Sequence, residues 1–440
     1  MMERYREYKE SGVKWLGEIP SHWEVVRGLG VFSENKSKNT QLENSTVLSL
    51  SYGKIIVKKD IDSGLVPEEY SSYQIVRPGC IIVRSTDLQN DKTSLRIGYV
   101  CDEGIITSAY LGLQTKGNNN DKYLYYFLHD WDITKEIYRH GNGLRQSLSW
   151  NDLRDISVLL PPLSEQDAIV RYLDSATSEI DKAIAMQQKM IDLLNERKQI
   201  IIQNAVTKGL DENVEMKESG VEWIGRIPKH WDVKPIKHLI SLLTDYDANG
   251  SFADIAQNCN INNGAPYAWM VRTTDLVNRR YGIVNGNNYC DRKTYNYLSK
   301  SSLSVNDIII AKRGDIGKVF LIPNVDVPMT LAPNTYLLKT LENKINNNYL
   351  YYALSSKYGK ESMTIFNKST TLGALYKDDV KALPIACPHL YEQQQIAAYL
   401  DSEMQKFDTA ISSCQRQITL LQERKQIIIN EVVTGKVRVS

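Results

Sequence analysis

Residues 9–25 read KESGVKWLGEIPSHWEV, and residues 217–233 read KESGVEWIGRIPKHWDV, with 12 of 17 positions identical at an offset of 208. A second pair of segments repeats at an offset of 227. Residues 193–202 read LLNERKQIII and residues 420–429 read LLQERKQIII, with nine of ten positions identical. An internal repeat is settled first because it fixes the architecture of the whole chain. The chain therefore contains one succession twice: a box, a middle segment and a helix.

The two middle segments resemble each other much less than the elements around them. Two landmarks can be paired: Arg84-Ser85-Thr86-Asp87-Leu88 with Arg272-Thr273-Thr274-Asp275-Leu276, and Tyr123-Leu124-Tyr125-Tyr126 with Tyr349-Leu350-Tyr351-Tyr352. The tyrosines stand at helical spacing, which predicts core packing and not base stacking. A duplicated framework with dissimilar middle segments is expected to recognise two different things at a fixed separation.

The repeated helices have recognisable ends. Pro161 and Pro162 precede the first helix, and Ser164 is the predicted N-cap, with Asp167 three residues further on. Gly209 and Gly435 follow the two helices, where a glycine C-terminal cap is expected.

The apolar residues of both helices follow a coiled-coil spacing of 7, 4, 7, 3 and 7. They are Leu173, Ile180, Ile184, Ile191, Leu194 and Ile201, with the copies Leu400, Phe407, Ile411, Ile418, Leu421 and Ile428. A two-fold relation between the halves predicts that the two seams pack antiparallel along a rod of roughly 60 Å. Such a rod would set the distance between the middle segments. Ordinary packing of two helices inside one core is the alternative.

Composition limits the class of protein. A chain of 440 residues predicts two domains, and 42% hydrophobic with 24% charged residues is typical of soluble globular proteins. A charged N-terminus and the lack of a long apolar run predict a cytoplasmic protein. Six scattered cysteines form no Cys-x-x-Cys pair, so they predict reduced thiols and no zinc site. The net charge of +1 indicates that any DNA surface is local or is completed by a partner.

Together these residues resemble the specificity subunits of Type I restriction-modification systems. The resemblance depends on the Gly-x-Ile-Pro-x-His-Trp box at 17–23 and 225–231, the Pro-Pro-Leu-Ser-Glu-Gln helix entry at 161–166, and the Glu-Arg-Lys-Gln-Ile helix ends. The segment from 306 to 318 is also similar to a strand-turn-strand of the family's target recognition domains.

The resemblance implies an α+β chain in which two mixed α/β target recognition domains are joined by two long antiparallel coiled-coil helices, related by a pseudo-two-fold axis. The expected domains are 1–162 for the first target recognition domain with its N-terminal arm and 163–210 for the first helix. Residues 211–387 are expected to form the second target recognition domain, and 388–440 the second helix and tail.

The resemblance also implies partners. Each domain is expected to read one half of a split, asymmetric double-stranded DNA target. The helices are expected to dock two methylation subunits, and the complex can also recruit restriction subunits. S-adenosylmethionine, ATP and magnesium are expected in those partners, with no cofactor or metal in this chain. Candidate docking residues are Arg197, Lys198, Arg424 and Lys425; a merely solvated helix face is the alternative.

Candidate DNA contacts are polar and basic residues in loops that follow strand-like runs, because base edges and phosphates are bound by such side chains. In the first domain they are Arg84, Ser85, Thr86, Gln89, Asn90, Lys92, Asn142, Arg145 and Gln146. In the second they are Arg272, Thr273, Thr274, Arg279, Arg280, Lys312, Arg313, Lys368, Ser369 and Thr370. For each one, an ordinary surface loop is the alternative.

Catalytic readings find little support. The chain has no glycine-rich phosphate loop ending in Gly-Lys-Ser/Thr and no methyltransferase-like Asn/Asp-Pro-Pro-aromatic pocket. Asp307, Asp315 and Lys318 could be arranged as a nuclease site, but charged residues at a turn explain them better. A duplicated adapter that binds only proteins remains the alternative to a DNA reader. A non-catalytic DNA-reading subunit is therefore predicted.

Overall fold

The computed structural model describes residues 3–42, 44–58, 70–141, 146–314, 316–366 and 374–439. The chain forms two compact units. Unit 1 comprises residues 1–188 and 415–440, and unit 2 comprises residues 189–414. Within the described residues, no helix is long and apolar enough to cross a membrane.

Unit 1 is built from short strands and a few helices. Its strands are β1 (Tyr8–Glu10), β2 (Glu18–Pro20), β3 (Glu24–Arg27), β4 (Phe32–Glu34), β5 (Leu48–Ser51), β6 (Lys54–Val57), β7 (Gln74–Val76), β8 (Ile81–Val83), β9 (Ile97–Tyr99), β10 (Gly104–Ile106), β11 (Leu111–Thr115) and β12 (Ser157–Leu160). Its helices are α1 (Gly28–Val31), α2 (Asp121–Ile133), α3 (Trp150–Leu153) and the start of the first long helix, α4 (Leu163–Lys208).

Unit 2 repeats this succession with additions. Its strands are β13 (Met216–Glu218), β14 (Arg226–Pro228), β15 (Asp232–Pro235), β16 (Ile240–Asp245), β17 (Ala268–Val271), β18 (Tyr289–Cys290), β19 (Ser302–Leu303), β20 (Ile308–Ala311), β21 (Val319–Leu321), β22 (Met329–Leu331), β23 (Thr335–Thr340) and β24 (Pro384–Cys387). Its helices are α5 (Phe252–Asn258), α6 (Thr273–Val277), α7 (Arg292–Tyr297), α8 (Asn347–Ser355), α9 (Lys357–Ile365), α10 (Lys377–Ala382) and the start of the second long helix, α11 (Leu390–Val433).

Each unit contains an antiparallel four-stranded sheet with the same connectivity. The order is β4-β11-β8-β9 in unit 1 and β16-β23-β20-β21 in unit 2. The central pair of each sheet is antiparallel, with Ile81 of β8 opposite Leu113 and Ile308 of β20 opposite Leu338. Strands β8 and β20 are buried along their whole length, as expected for runs of β-branched residues in the middle of a sheet.

Beyond this common sheet the two units differ. Unit 1 adds two two-stranded sheets, β10-β7 and β5-β6, whereas unit 2 adds a four-stranded sheet in the order β18-β17-β22-β19. Within that added sheet β17 and β22 run parallel. The mixed α+β class predicted for both domains is therefore confirmed.

The long helices begin and end close to the predicted positions. The first begins at Leu163, directly after the two prolines, so Ser164 lies inside the first turn and its prediction as N-cap is wrong. Gly209 and Gly435 have φ angles of 76° and 73°, and the predicted glycine caps are confirmed. All 12 predicted seam residues are buried or half-buried.

Each unit contains the same antiparallel contact between the two long helices. In unit 1, Lys425 Nζ lies 2.6 Å from Asp181 Oδ1. In unit 2, Lys198 Nζ lies 2.6 Å from Asp408 Oδ1. The two ion pairs are repeat equivalents, since both the lysines and the aspartates are related by the offset of 227. The helix register is therefore the same in both units.

The repeated tyrosines pack in the cores, as predicted. Tyr123 and Tyr349 are fully buried, and their hydroxyls donate to the carbonyl oxygens of Leu159 and Ala386 at 2.9 and 2.7 Å. Tyr126 and Tyr352 donate to Asp174 and Asp401 of the long helices. These bonds fix the helix that follows the common sheet against the long helix of the same unit.

Candidate nucleic-acid interface

The repeated box holds the first turn of a long helix. In unit 1 the indole Nε1 of the buried Trp23 donates to Glu165 at 2.9 Å, and His22 Nε2 lies 2.6 Å from the same carboxylate. In unit 2, Trp231 and His230 make the same contacts with Glu392 at 3.1 and 2.9 Å. A carboxylate in the first turn is also favoured by the helix dipole. The box histidines and tryptophans are thus structural.

The same box also receives the end of the other long helix in its unit. A Cβ on Gly435 would lie 2.5 Å from Pro20 Cδ and 2.9 Å from Trp23, and one on Gly209 would lie 3.3 Å from Trp231. Glycine is therefore required at Gly435 both by its positive φ and by the space that Pro20 leaves. Each box joins the beginning of one long helix to the end of the other, so this motif belongs to the scaffold.

A buried glutamine in each helix entry continues this scaffold. Gln166 Nε2 donates to the Pro161 carbonyl, and its Oε1 accepts from the backbone N–H of Asn120, the N-cap of α2. Gln393 repeats both bonds with Pro388 and Asn346. The repeated sequence therefore holds each domain to the long helices.

The loop between β8 and β9 contains six of the predicted DNA contacts. Gln89, Asn90 and Lys92 are exposed at its tip. Ser85, by contrast, is buried and donates to the Ala109 carbonyl, so its hydroxyl faces the protein. Arg84 is half-buried, with Nη1 3.3 Å from Asp91, and Thr86 is also half-buried.

Sequence reasoning missed the residue at the centre of this loop. Arg96 is fully buried, and its guanidinium donates to the carbonyl oxygens of Arg84, Thr86, Asp87 and Asp91. The sequence offered one signal for it, an arginine at the start of the apolar strand Ile97–Tyr99.

The pairing of Arg84-Ser85-Thr86-Asp87-Leu88 with Arg272-Thr273-Thr274-Asp275-Leu276 is wrong. Arg84 follows β8 in the common sheet, whereas Arg272 follows β17 in the sheet that unit 2 adds. The counterpart of Ser85 is Lys312, because the backbone N–H of Leu148 donates to Ser85 O and that of Leu375 to Lys312 O. The two motifs share four of their five residues, and this likeness suggested the pairing. In the structure, however, Ser85 and Lys312 are equivalent, and they are related by the offset of 227.

The basic residues around α6 divide into structural and exposed groups. Arg272 makes hydrogen bonds to Asp275 and to the Gly286 carbonyl, which hold its guanidinium against the protein. Thr273 is half-buried and Thr274 is exposed. Arg279 and Arg280, at the end of this segment, are exposed. The two consecutive exposed arginines are the better candidates for phosphate contacts.

Lys312 and Arg313 follow β20 but face different surroundings. Lys312 Nζ lies 3.1 Å from Asp245 and 2.9 Å from Asp247, and its side chain is largely buried. Burial raises the pKa of the Asp245 carboxyl, but hydrogen bonds from Lys377 and Lys312 outweigh burial, so its pKa is lowered. Arg313 is exposed. Arg313 is therefore the available cation of this loop, and Lys312 is tied to a carboxylate pair.

The loop before each long helix is partly described. Gln146 donates its side-chain amide to the carbonyls of Tyr138 and His140, so that amide is engaged within unit 1. The predicted contacts Asn142, Arg145, Lys368, Ser369 and Thr370 lie outside the described residues.

The four predicted docking residues also differ in availability. Arg197 and Arg424 are exposed on the two long helices. Lys198 and Lys425 are about one-quarter exposed and form the equivalent ion pairs with Asp408 and Asp181.

The described residues contain no group of three or more His, Cys, Asp or Glu side chains arranged to hold a metal ion. Of the residues considered for a nuclease site, Asp307 accepts from the backbone N–H of Ser304 and pairs with Lys339 at 3.3 Å. These contacts stabilise the turn before β20, in agreement with the turn interpretation. Asp315 lies outside the described residues.

The chain is similar to known proteins over almost its whole length. It matches the family model described as Type I restriction modification DNA specificity domain twice, over residues 20–189 and 228–420. It is 25% identical over 460 residues to the Type I restriction enzyme MjaVIII specificity subunit of Methanocaldococcus jannaschii, covering 98% of this chain and 97% of that protein. The putative MjaX specificity subunit of the same organism is 24% identical over 455 residues, covering 98% of each chain.

A solved structure has the same fold. It belongs to a type I R-M system and is described in terms of complex assembly and conformational transition. It matches with a TM-score of 0.64 at 16% identity, covering 94% of this chain and 98% of that chain.

Proposed function

The chain belongs to the Type I restriction-modification DNA specificity family, and we propose that it reads a bipartite, asymmetric DNA target for its complex. The observation that carries this proposal is the pair of unlike loops that follow the equivalent strands β8 and β20. A specificity subunit recognises and does not catalyse, so the chain is a non-catalytic subunit.

The two loops present different chemistry from the same position of the common sheet. The unit 1 loop runs from Arg84 to Arg96 and exposes Gln89, Asn90 and Lys92 at its tip. The unit 2 loop is about half as long and exposes Arg313. Amide side chains pair bidentately with adenine, and arginine pairs with guanine. Readers of such different composition favour two dissimilar half-sites, separated by a gap that the long helices set.

A second surface supports docking of two methylation subunits. Leu193, Arg197 and Ile200 are exposed on one face of the first long helix in unit 2, at spacings of four and three residues. Leu420, Arg424 and Ile427 are exposed on the equivalent face of the second long helix in unit 1. We name these sets the unit 2 stripe and the unit 1 stripe. Exposed leucine and isoleucine beside arginine are typical of protein interfaces, and two equivalent stripes fit two copies of one partner.

The bound methylation subunits would supply S-adenosylmethionine. Restriction subunits, where present, would supply ATP and magnesium chemistry. We place the assembly in the cytoplasm, where its DNA substrate lies.

Methylome sequencing of cells that express the chain with its methylation subunit tests the proposal. The expected result is methylation at one split sequence with dissimilar halves. Replacing Arg313 by Ala should relax one half and leave the other unchanged, whereas replacing exposed Arg77, which lies between β7 and β8 and outside both loops, should change neither. Methylation without sequence preference, or binding of the partner without any DNA selectivity, would support the adapter alternative instead.

A heptad insertion tests the role of the helices. Adding seven residues to both long helices at equivalent positions should widen the gap while both half-sites stay the same, because the readers themselves are untouched. An unchanged gap would refute the role of the helices as a spacer.

A further inference from the structure

We propose that Arg96 is a positioning residue for DNA specificity: its buried guanidinium shapes the loop with which unit 1 reads its half-site. The proposal rests on the DNA-reading function proposed above and names a determinant of it that makes no contact with DNA.

The guanidinium of Arg96 is fully enclosed by hydrogen-bond acceptors of the loop. Nη1 donates to the backbone carbonyls of Arg84 at 3.2 Å and Thr86 at 2.8 Å. Nη2 donates to the backbone carbonyl of Asp87 at 3.0 Å and to that of Asp91. Nε donates to the Tyr138 hydroxyl at 3.2 Å. A guanidinium offers five N–H groups in a fixed plane, so these acceptors are held in one arrangement.

Burial makes this arrangement strict. The side chain is 0% exposed, and a buried charge is tolerated only when its polar atoms are satisfied. The loop carbonyls must therefore converge on Arg96 when its side chain is buried in this way. The Tyr138 ring lies 5.5 Å from the guanidinium carbon and closes one side, and the Tyr138 hydroxyl donates to Asp91 O at 3.1 Å.

The side chain of Asp91 also holds the backbone of this loop. Its Oδ1 accepts from the backbone N–H groups of Thr93 and Ser94 at 3.2 and 3.0 Å. Hydrogen bonds from Ser94 and Thr93 lower the pKa of this carboxyl well below its usual range, so it stays ionised near neutral pH.

With the backbone tied inward, the tip side chains face outward. Gln89 and Lys92 are exposed, and neither side chain forms a hydrogen bond or ion pair within the part of the chain that the structure describes. Asn90 is exposed as well, but its amide donates to Asp87 at 2.7 Å. The geometry assigns Gln89 to a base edge, for which amide chemistry favours adenine, and Lys92 to a phosphate.

Unit 2 lacks the buried arginine at the equivalent place. The backbone bond from Arg84 N–H to Arg96 O is repeated between Ala311 N–H and Lys318 O. Lys318 is exposed where Arg96 is buried. The positioning role therefore applies to the first half-site alone, and this one-sidedness is what the experiment measures.

The test uses the full chain with its methylation subunit and compares Arg96→Lys with Arg77→Lys, an exposed matched control. Lysine keeps the charge but loses the planar fork. The expected result is at least a tenfold loss of selectivity at the half-site read by unit 1, with the other half unchanged. Gln89→Ala should relax one base position of that same half.

Two readouts separate positioning from general stability. Hydrogen exchange at amides 87–94 should accelerate more than tenfold in Arg96→Lys, while exchange in the core strand β8 stays within twofold. Arg313→Ala marks the other half-site. The proposal is overturned if Arg96→Lys keeps full selectivity, relaxes the half marked by Arg313→Ala, or loses both halves together with protection of β8. If the wild-type complex methylates no defined sequence, the proposed function itself has failed.

Discussion

Unit 1 and unit 2 share their main contacts with the long helices, but the loops that follow β8 and β20 differ. The clamp of Trp23 on Glu165 recurs as Trp231 on Glu392, and the ion pair of Lys425 with Asp181 recurs as Lys198 with Asp408. The loop after β8 has no such copy after β20. The difference teaches that one repeated scaffold can present two unlike loops from the same position of the common sheet.

The faces of the long helices also differ between the two units. In unit 1 a groove of about 370 Å³ opens between the long helices, lined by Ala176, Ile180 and Arg424 among others. At the equivalent positions unit 2 has Glu403, paired with Lys406 at 2.6 Å, and Phe407. The unit 1 stripe thus lies beside an open groove, whereas the equivalent positions of unit 2 carry a charged side chain and a larger aromatic one.

The largest expected effect separates the two clamps. Trp23→Ala should destabilise unit 1 by about 3–5 kcal/mol, because it removes a fully buried indole and the donor to Glu165. Trp231→Ala should do the same to unit 2. Hydrogen exchange resolved by residue would measure each loss of protection in its own unit. Tyr52→Ala, at a position 92% exposed, serves as the control and should change little. Equal loss in both units from either variant would contradict the independence of the two clamps.

The next effect concerns the stripes. Under the proposed docking, Ile427→Asp should weaken binding of one methylation subunit by roughly 2 kcal/mol or more, about 30-fold in affinity, since an exposed apolar residue of the unit 1 stripe is replaced by a charge. Ile200→Asp should do so at the other site. Native mass spectrometry should then show one bound methylation subunit in place of two. Leu42→Asp and Leu210→Asp alter exposed leucines outside the stripes, and retention of two partners in every variant would remove the docking assignment.

A smaller effect distinguishes Glu165 from Glu392, the two carboxylates that accept from the box tryptophans. The Tyr5 hydroxyl donates to Glu165 at 3.0 Å, whereas Asn213 occupies the equivalent position in the repeat. Burial raises the pKa of Glu165, but hydrogen bonds from Trp23, His22 and Tyr5 outweigh burial and lower its pKa. A lowered pKa adds stability above the unfolded value of about 4.3, and that stability is lost as pH falls further.

Tyr5→Phe should therefore destabilise unit 1 by about 1 kcal/mol near neutral pH. The difference from wild type should shrink below about pH 4, where Glu165 takes up a proton in both proteins. Denaturant unfolding at several pH values measures it, with Tyr52→Phe as the matched control. A difference that stays constant down to acid pH would show that Tyr5 acts through packing and not through the carboxylate.

The sequence predicted the scaffold well because its parts are local and repeated. Helix ends at Gly209 and Gly435, the buried seam and the packed tyrosines follow from spacing and from residue type. The N-cap at Ser164 was wrong because the helix starts directly after the prolines at Leu163, two residues earlier than a Ser164 cap would place it.

The candidate interface was harder to predict for a physical reason. Arg84, Arg272, Lys312 and Gln146 look available in sequence, yet their side chains are bound by Asp91, Asp275, Asp245 and backbone carbonyls. Whether a cation is free depends on partners that are distant along the chain. Arg96 could not be predicted for a related reason. Its partners are backbone carbonyls, which every residue has, so the sequence does not reveal which ones converge on it.

The smallest expected effect tests whether the two helix registers are energetically equal. Lys198→Met and Lys425→Met remove the ammonium from equivalent, partly exposed ion pairs of identical length, so each should cost about 0–1 kcal/mol and the two costs should agree. Double-mutant cycles with Asp408→Asn and Asp181→Asn measure the two coupling energies, and added salt should lower both. A clearly larger coupling energy in one unit would contradict this. It would mean that solvent screens the two ion pairs differently, although their residues and distances are the same. Lys54 also lies 3.8 Å from Asp181 in unit 1, but its side chain is 72% exposed, so solvent screens this second contact and the two costs should still agree.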